Sequence, residues 1–330
     1  MKEFSFRQEP FRVFGVPFFE KNGRLERLPE ELRQQLPDLS FLGRRCPGAR
    51  LCFRTDSKNV QIKLTFETLS MDAGMSIYSC QSAYIYFGPH STSYYAGLVN
   101  PSDYNAKVAV CNFEKSGEIE DVTVFLPRNE IIADITVGLD DGAQLLPPTP
   151  YKHSLPIVYY GSSITECGCC SKTSNAYSAL ISRWLDVDYY NFGFSGNAKG
   201  EPEMADYINT VEKSVFVLDY DHNAPTVKYL EQTHEPFFKR IRAVSPDLPV
   251  VMMTMPDFGT EKTAQQRRQV IRKTYDNAVA AGDKNVYFVD GGTFFSPEEV
   301  HACTIDTIHP NDLGFYRMAQ KLAPIIEKLL

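Results

Sequence analysis

Four short stretches of this chain carry residue types that could act together on an acyl group. The first is Tyr159-Tyr160-Gly161-Ser162-Ser163-Ile164-Thr165. It follows the apolar run 157–160 and precedes a helix-like segment, so Ser163 is predicted at the mouth of a strand-to-helix turn. A serine there is exposed at the carboxyl end of a strand and faces the unpaired N–H groups of the next helix, which is where a nucleophile is wanted. The others are Asn191-Phe192-Gly193-Phe194-Ser195-Gly196-Asn197, Asp219-Tyr220-Asp221-His222-Asn223 and Asp306-Thr307-Ile308-His309-Pro310. Each alone has an ordinary reading. Gly-x-Ser-x-Thr is a capped turn, Ser195-Gly196-Asn197 a tight turn, Asn223 a turn residue ahead of Pro225, and Asp306 with His309 a pair at the start of a helix. Together they need elements that bring them to one place.

The second half supplies such elements. From 155 onward, apolar strands at 157–160, 187–192, 215–220, 250–255 and 286–290 alternate with helical stretches at 175–185, 203–208, 225–244 and 263–281. The third helix is expected to break at Pro236. A last helix from about residue 311 carries Phe315, Met318, Leu322, Ile325 and Leu329 at spacings of three and four, an apolar stripe for packing on a sheet. This alternation predicts a parallel, doubly wound sheet with sites at the strand carboxyl ends, where all four stretches fall. The first ~150 residues read as short strands parted by turn residues. Residues 59–67 alternate strictly, with Val60, Ile62, Leu64 and Phe66 on one face, and further strands are expected at 49–55, 83–87, 122–126 and 131–139. No long amphipathic helix interrupts them, which suggests an antiparallel jelly-roll β-sandwich. Pro147, Pro148 and Pro150 mark the expected boundary, giving a β-sandwich over 1–150 and an α/β domain over 151–330.

In their order, a serine after the first strand, a glycine, an asparagine and a terminal Asp-x-x-His-Pro, the four stretches resemble the SGNH or GDSL-type hydrolases. The resemblance implies a three-layer α/β/α, flavodoxin-like catalytic domain. The first half is similar to the β-sandwich of a two-domain esterase branch, with Gln81-Ser82-Ala83-Tyr84 partly matching its Gly-x-Asp-Leu-Tyr signature. Acyl transfer then fixes the expected roles. Ser163 is the nucleophile, His309 its base, and Asp306 holds the imidazole in the useful tautomer. The family likeness assigns the oxyanion donors to the backbone N–H groups of Ser163 and Gly196 and the side-chain amide of Asn223. A residue without Cβ at 196 would let the backbone approach the substrate closely. Two departures stand out. Ser162 replaces the family's Asp, and Asp221-His222-Asn223-Ala224 replaces Gly-x-Asn-Asp, so Ser162, Asp221 and His222 become candidate pocket residues.

The resemblance implies a serine esterase without metal or organic cofactor, acting on small acyl esters, acetyl foremost, of sugars or oligosaccharides. The same triad could serve an acyltransferase, a thioesterase or a lysophospholipase, and a glycan-binding pseudoenzyme is the rival outside enzymology. Aromatic residues make up 12% of the chain, but Tyr84, Tyr86, Tyr94 and Tyr95 read first as core or interface rather than as sugar platforms. A net charge of -7 and the absence of basic runs argue against nucleic acid and anionic membranes as partners; association into a homo-oligomer is compatible with the sequence. With no leader-like or membrane-spanning segment, the expected location is cytoplasmic. The eight cysteines are accordingly expected to be mostly free thiols. Zinc held by Cys167, Cys169 and Cys170, with Cys303 as fourth ligand, is the weaker reading of that cluster beside thiols lining a loop.

Overall fold

The computed structural model of the protein describes residues 1–72 and 74–330. The strands of the first half are β1 (Lys2–Ser5), β2 (Arg12–Phe14), β3 (Arg50–Thr55), β4 (Asn59–Phe66), β5 (Ala83–Phe87), β6 (Tyr94–Val99), β7 (Val108–Glu114), β8 (Glu120–Phe125), β9 (Ile132–Leu139) and β10 (Leu145–Leu146). They form two antiparallel sheets, β1-β9-β4-β7 and β10-β3-β8-β5-β6, with β2 paired to β3. Leaving aside the short β2 and β10, the eight main strands lie in the first-last-third-sixth and second-seventh-fourth-fifth order of a jelly roll. The alternation of β4 is what closes it. Val60, Ile62, Leu64 and Phe66 are buried between the sheets while the residues between them stay at the surface.

The second half is one parallel sheet of β11 (His153–Gly161), β12 (Val187–Gly193), β13 (Val215–Asp219), β14 (Val250–Met253) and β15 (Val286–Val289), in the order β12-β11-β13-β14-β15. That is the flavodoxin-like winding, in which the chain reverses direction across the sheet beside β11. Its helices are α5 (Tyr177–Leu185), α6 (Pro202–Asn209), α7 (Val227–Val244), α8 (Ala264–Ala280) and α9 (Asp312–Glu327). Because β11 is covered on both faces, it reads as an apolar run rather than an alternation. Ile157 and Tyr159 join the core with Phe315 and Leu322 of α9. Val158 and Tyr160 join the opposite core with Phe237 and Ile241 of α7.

Four short helices of the first half, α1 (Phe19–Asn22), α2 (Glu30–Gln35), α3 (Pro37–Arg44) and α4 (Ile77–Gln81), were not expected. Leu32 of α2 and Leu39 of α3 pack into the core on the α7 face, and Tyr84, Tyr86 and Phe125 of the sandwich pack into the core on the α9 face. The first half therefore completes both cores of the second. The expected break in α7 does not occur: the helix runs through Pro236. Pro236 lies on the exposed side, and the carbonyl it leaves without a donor belongs to exposed Gln232, where water can serve it. Among the described residues, no helix is long and apolar enough to cross a membrane.

Candidate active site

Gly161 at the end of β11 pairs with Gly193 at the end of β12 and with Asp219 at the end of β13. Three of the four stretches therefore leave the sheet side by side. Both glycines are required by space. A Cβ at Gly193 would run into the backbone of Thr165 and Glu166, and one at Gly161 into Thr165 and the Asp219 carbonyl. The turn carrying Ser163 is thereby laid directly across the end of β12.

The fourth stretch closes on this turn from the start of α9. Ser163 Oγ lies 2.8 Å from His309 Nε2, and His309 Nδ1 lies 2.7 Å from Asp306 Oδ2. The other carboxylate oxygen, Oδ1, accepts the backbone N–H groups of His309 at 2.7 Å and Ile308 at 3.0 Å. Partial burial raises the Asp306 pKa, but these hydrogen bonds outweigh it and hold the carboxyl below its ordinary value. The site is open, with the His309 side chain 24% and that of Asp306 44% exposed. A cavity of about 740 Å³ lies elsewhere, lined by α7, α8 and the residues that follow α8, among them Asp283 and Asn285.

Gly196 is exposed with φ 71°. No atom lies within 4 Å of where its Cβ would stand, so in this structure the glycine answers to a left-handed backbone, not to crowding. The Asn223 amide donates to the Phe194 carbonyl at 2.9 Å, leaving its second N–H for another partner. Among the described residues, the Ser163 and Gly196 N–H groups have no protein acceptor.

Two of the three expected pocket residues turn out to be supports. Ser162 is buried and its Oγ accepts the Ile164 N–H at 3.2 Å, which braces the turn in place of the missing carboxylate. Asp221 is buried and accepts the Met255 N–H at 3.0 Å, tying the asparagine loop to the end of β14. Burial raises Asp221 to about 6 against that hydrogen bond. His222 is half-buried, with its Nε2 enclosed and unpartnered, and burial followed by the nearby His309 lowers it to about 4. It is His309 Nε2, not His222, that lies within hydrogen-bond reach of Ser163 Oγ, so His222 is a neighbour of the site rather than a partner of the serine.

The cysteine reading needs correction. Cys167 and Cys170, themselves spaced as C-x-x-C, form a disulfide, so they are not free thiols and cannot share a zinc ion with Cys169 and Cys303. Cys303 is buried beneath the start of α9. Cys169 instead lies with Asp306 and His309, their ligand atoms within 4.8 Å of one another. Burial and then Asp306 push its thiol up to about 11, disfavouring the thiolate. Of the aromatic candidates, Tyr84 and Tyr86 are core, while Tyr94 and Tyr95 are exposed on β6. Sequence reasoning missed Glu166, Arg27 and Arg128, which meet in a buried cluster under the site. The one local signal was an acidic residue three positions after Ser163; both arginines lie far away in the chain.

Residues 154–327 match the GDSL-like lipase/acylhydrolase family. The chain belongs to that family. Residues 4–145 match the N-terminal domain of SGNH-hydrolase-type esterases, so this GDSL-like hydrolase carries both parts of the two-domain arrangement. Its fold is similar to that of a Bacteroides ovatus protein described as a GDSL-like lipase (24% identity, TM-score 0.88, covering 99% of this chain and 97% of the other). A salicylyl-acyltransferase from a tetracycline biosynthetic pathway shares 19% identity at TM-score 0.79, covering 99% and 97%. An acetyl xylan esterase from the rumen bacterium Butyrivibrio proteoclasticus shares 11% identity at TM-score 0.60, covering 99% of each chain. No curated protein matches the sequence.

Proposed function

We propose that this GDSL-like hydrolase is a serine esterase that removes small acyl groups, acetyl foremost, from sugars or oligosaccharides, through a Ser163-His309-Asp306 triad and an acyl-enzyme. One observation carries the reading: the unbroken hydrogen-bonded line from Ser163 Oγ through both nitrogens of His309 to Asp306 Oδ2. In this reading Ser163 Oγ attacks the ester carbonyl carbon while its proton passes to His309 Nε2. The negative charge moves to the carbonyl oxygen, where the N–H groups of Ser163 and Gly196 and the free amide hydrogen of Asn223 receive it. Collapse breaks the bond to the sugar oxygen, which takes the proton from His309. Water, deprotonated by the same nitrogen, then attacks the acyl-enzyme and releases the acid and free Ser163. Asp306 stays ionised throughout and stabilises the imidazolium.

The open site favours a substrate that lies across a rim over one that enters a tunnel, which suits an acyl group projecting from a glycan. We take residues 1–150 as the accessory domain and 151–330 as the catalytic domain, consistent with the limits of the two family matches. The fold shared with an acyltransferase supports a second reading, in which an alcohol other than water accepts the acyl group. Both are tested by incubating the protein with acetylated oligosaccharides, with and without excess acceptor alcohol, and separating free acetate from new ester. Free acetate as main product supports the esterase. New ester dominating at equal conversion supports the transferase, and no turnover of any acetylated sugar contradicts the proposed substrate class.

A further inference from the structure

We infer that Glu166 is a positioning residue for the loop that presents Gly196, and that the sandwich half supplies the two cations holding it there. The inference rests on the reading of Gly196 as an oxyanion donor. Glu166 is fully buried. Its Oε1 accepts Arg27 Nη2 at 3.1 Å, and its Oε2 accepts both Arg128 Nη2 at 2.8 Å and the backbone N–H of Ser195 at 3.0 Å. Ser195 immediately precedes Gly196. One carboxylate thus joins the turn of the proposed nucleophile to the loop of the proposed donor.

A buried carboxylate remains charged only if cations and hydrogen bonds replace water. Here two guanidinium groups do so, and Asp72, 2.5 Å from Arg128 Nη1, balances the second cation. Arg27 also holds the approach to the loop. It donates to the carbonyls of Asn191 at 2.9 Å and Gly193 at 2.5 Å, and its guanidinium lies 4.5 Å from the Phe194 ring centre. Residues 191–195 are therefore gripped from the end of β12 to the position before Gly196. Beyond this the turn is closed on itself, with the Asn197 N–H donating to the Phe194 carbonyl at 3.0 Å and Asn197 Nδ2 to the Ser195 carbonyl at 2.8 Å. Glu166 is therefore the contact that ties this closed turn to the loop of Ser163, while Gly196 has open space around it. Arg27, Arg128 and Asp72 all precede residue 150, so the sandwich acts as a wall of the catalytic machinery rather than as an appended module.

The test uses the full-length protein with Glu166→Gln, Arg128→Lys and Arg128→Met. For each, kcat and KM on p-nitrophenyl acetate are measured beside amide hydrogen exchange of peptides covering 194–197. Losing one placed oxyanion donor costs on the order of 100-fold or more in kcat. Glu166→Gln and Arg128→Met are expected to lose about that much with KM changed less than about threefold, and to exchange faster at 194–197 while β11 and β13 stay protected. Arg128→Lys, which keeps the charge, is expected to recover most of the rate. Folded Glu166→Gln protein with near-normal kcat, or with slow exchange at 194–197 despite a lost rate, overturns the inference; so does faster exchange spread evenly over the sheet. If Glu166→Gln does not fold, the Arg128 pair decides on the same readings. An active wild type whose Ser163→Ala variant is equally active would instead remove the esterase mechanism beneath the inference.

Discussion

Asp306 holds His309 twice, once through the backbone N–H at 2.7 Å and once through the ring Nδ1 at 2.7 Å. The carboxylate therefore shapes the loop and selects the tautomer with the same group. Asp306→Asn preserves the shape but can present an N–H to Nδ1, favouring the tautomer that cannot take the Ser163 proton. We expect kcat to fall by about 10³- to 10⁴-fold with little change in KM or in thermal stability. Steady-state kinetics beside a melting curve checks this; an active Asp306→Asn protein would argue that Asp306 serves the loop alone.

Gly193 and Gly196 stand three residues apart and should fail differently. Alanine at 193 collides with the backbone of the Ser163 turn, whereas alanine at 196 meets no atom and suffers only its positive φ. Gly196→Ala is expected to cost about 1–2 kcal/mol of stability, Gly193→Ala more than this or the fold itself. Chemical denaturation of the two variants measures the contrast.

The reach of the sequence followed the same division between local and distant contacts. The strand-end position of Ser163, the alternation of β4 and the pairing of Asp306 with His309 could be read because each depends on neighbours a few residues away. Ser162 is the exception, a local contact that was missed: its Oγ turns inward to accept the Ile164 N–H only two residues away, and a serine beside the expected nucleophile carries no sequence sign of which way it will turn. Cys167 and Cys170 looked like thiols because the expectation rested on an assumed reducing compartment, and the left-handed backbone at Cys167 and Cys169 in the loop that bears the disulfide has no sequence signature outside glycine. Glu166 was invisible as a site element because its meaning lies in Arg27 and Arg128, which the fold brings from the sandwich. The helices α2 and α3 were missed for a similar reason: short segments gain their stability by covering the α/β core.

The disulfide makes a chemical prediction. Alkylation of the denatured, unreduced protein should modify Cys46, Cys52, Cys80, Cys111, Cys169 and Cys303 and spare Cys167 and Cys170. Replacing both bonded cysteines by serine should cost about 2 kcal/mol, since the closed loop is short. Peptide mass mapping settles the pairing, and alkylation of Cys167 or Cys170 without reductant would contradict it.

Acid should weaken the fold through buried histidine. His234 is enclosed, with Nδ1 2.9 Å from Thr274 Oγ1, and burial lowers it to about 3. Since its folded pKa lies below that of the unfolded chain, ~6.5, the neutral form stabilises above that pH and the contribution is lost as pH falls from ~6.5 toward 3. The slope is about 1.4 kcal/mol per pH unit for one proton. His234→Leu should flatten the acid limb of stability against pH by about that amount, as read from denaturant midpoints between pH 7 and 4. An unchanged slope would show that His234 does not take part.

The most direct test of the account is the rate of acetate release from p-nitrophenyl acetate by wild type and Ser163→Ala, with the acyl-enzyme trapped by acid quench and located by mass spectrometry. The account predicts turnover by wild type, an acetyl group on the peptide bearing Ser163, and a loss of several orders of magnitude in the variant. Equal release by both proteins, or a trapped acetyl on any other residue, would contradict it.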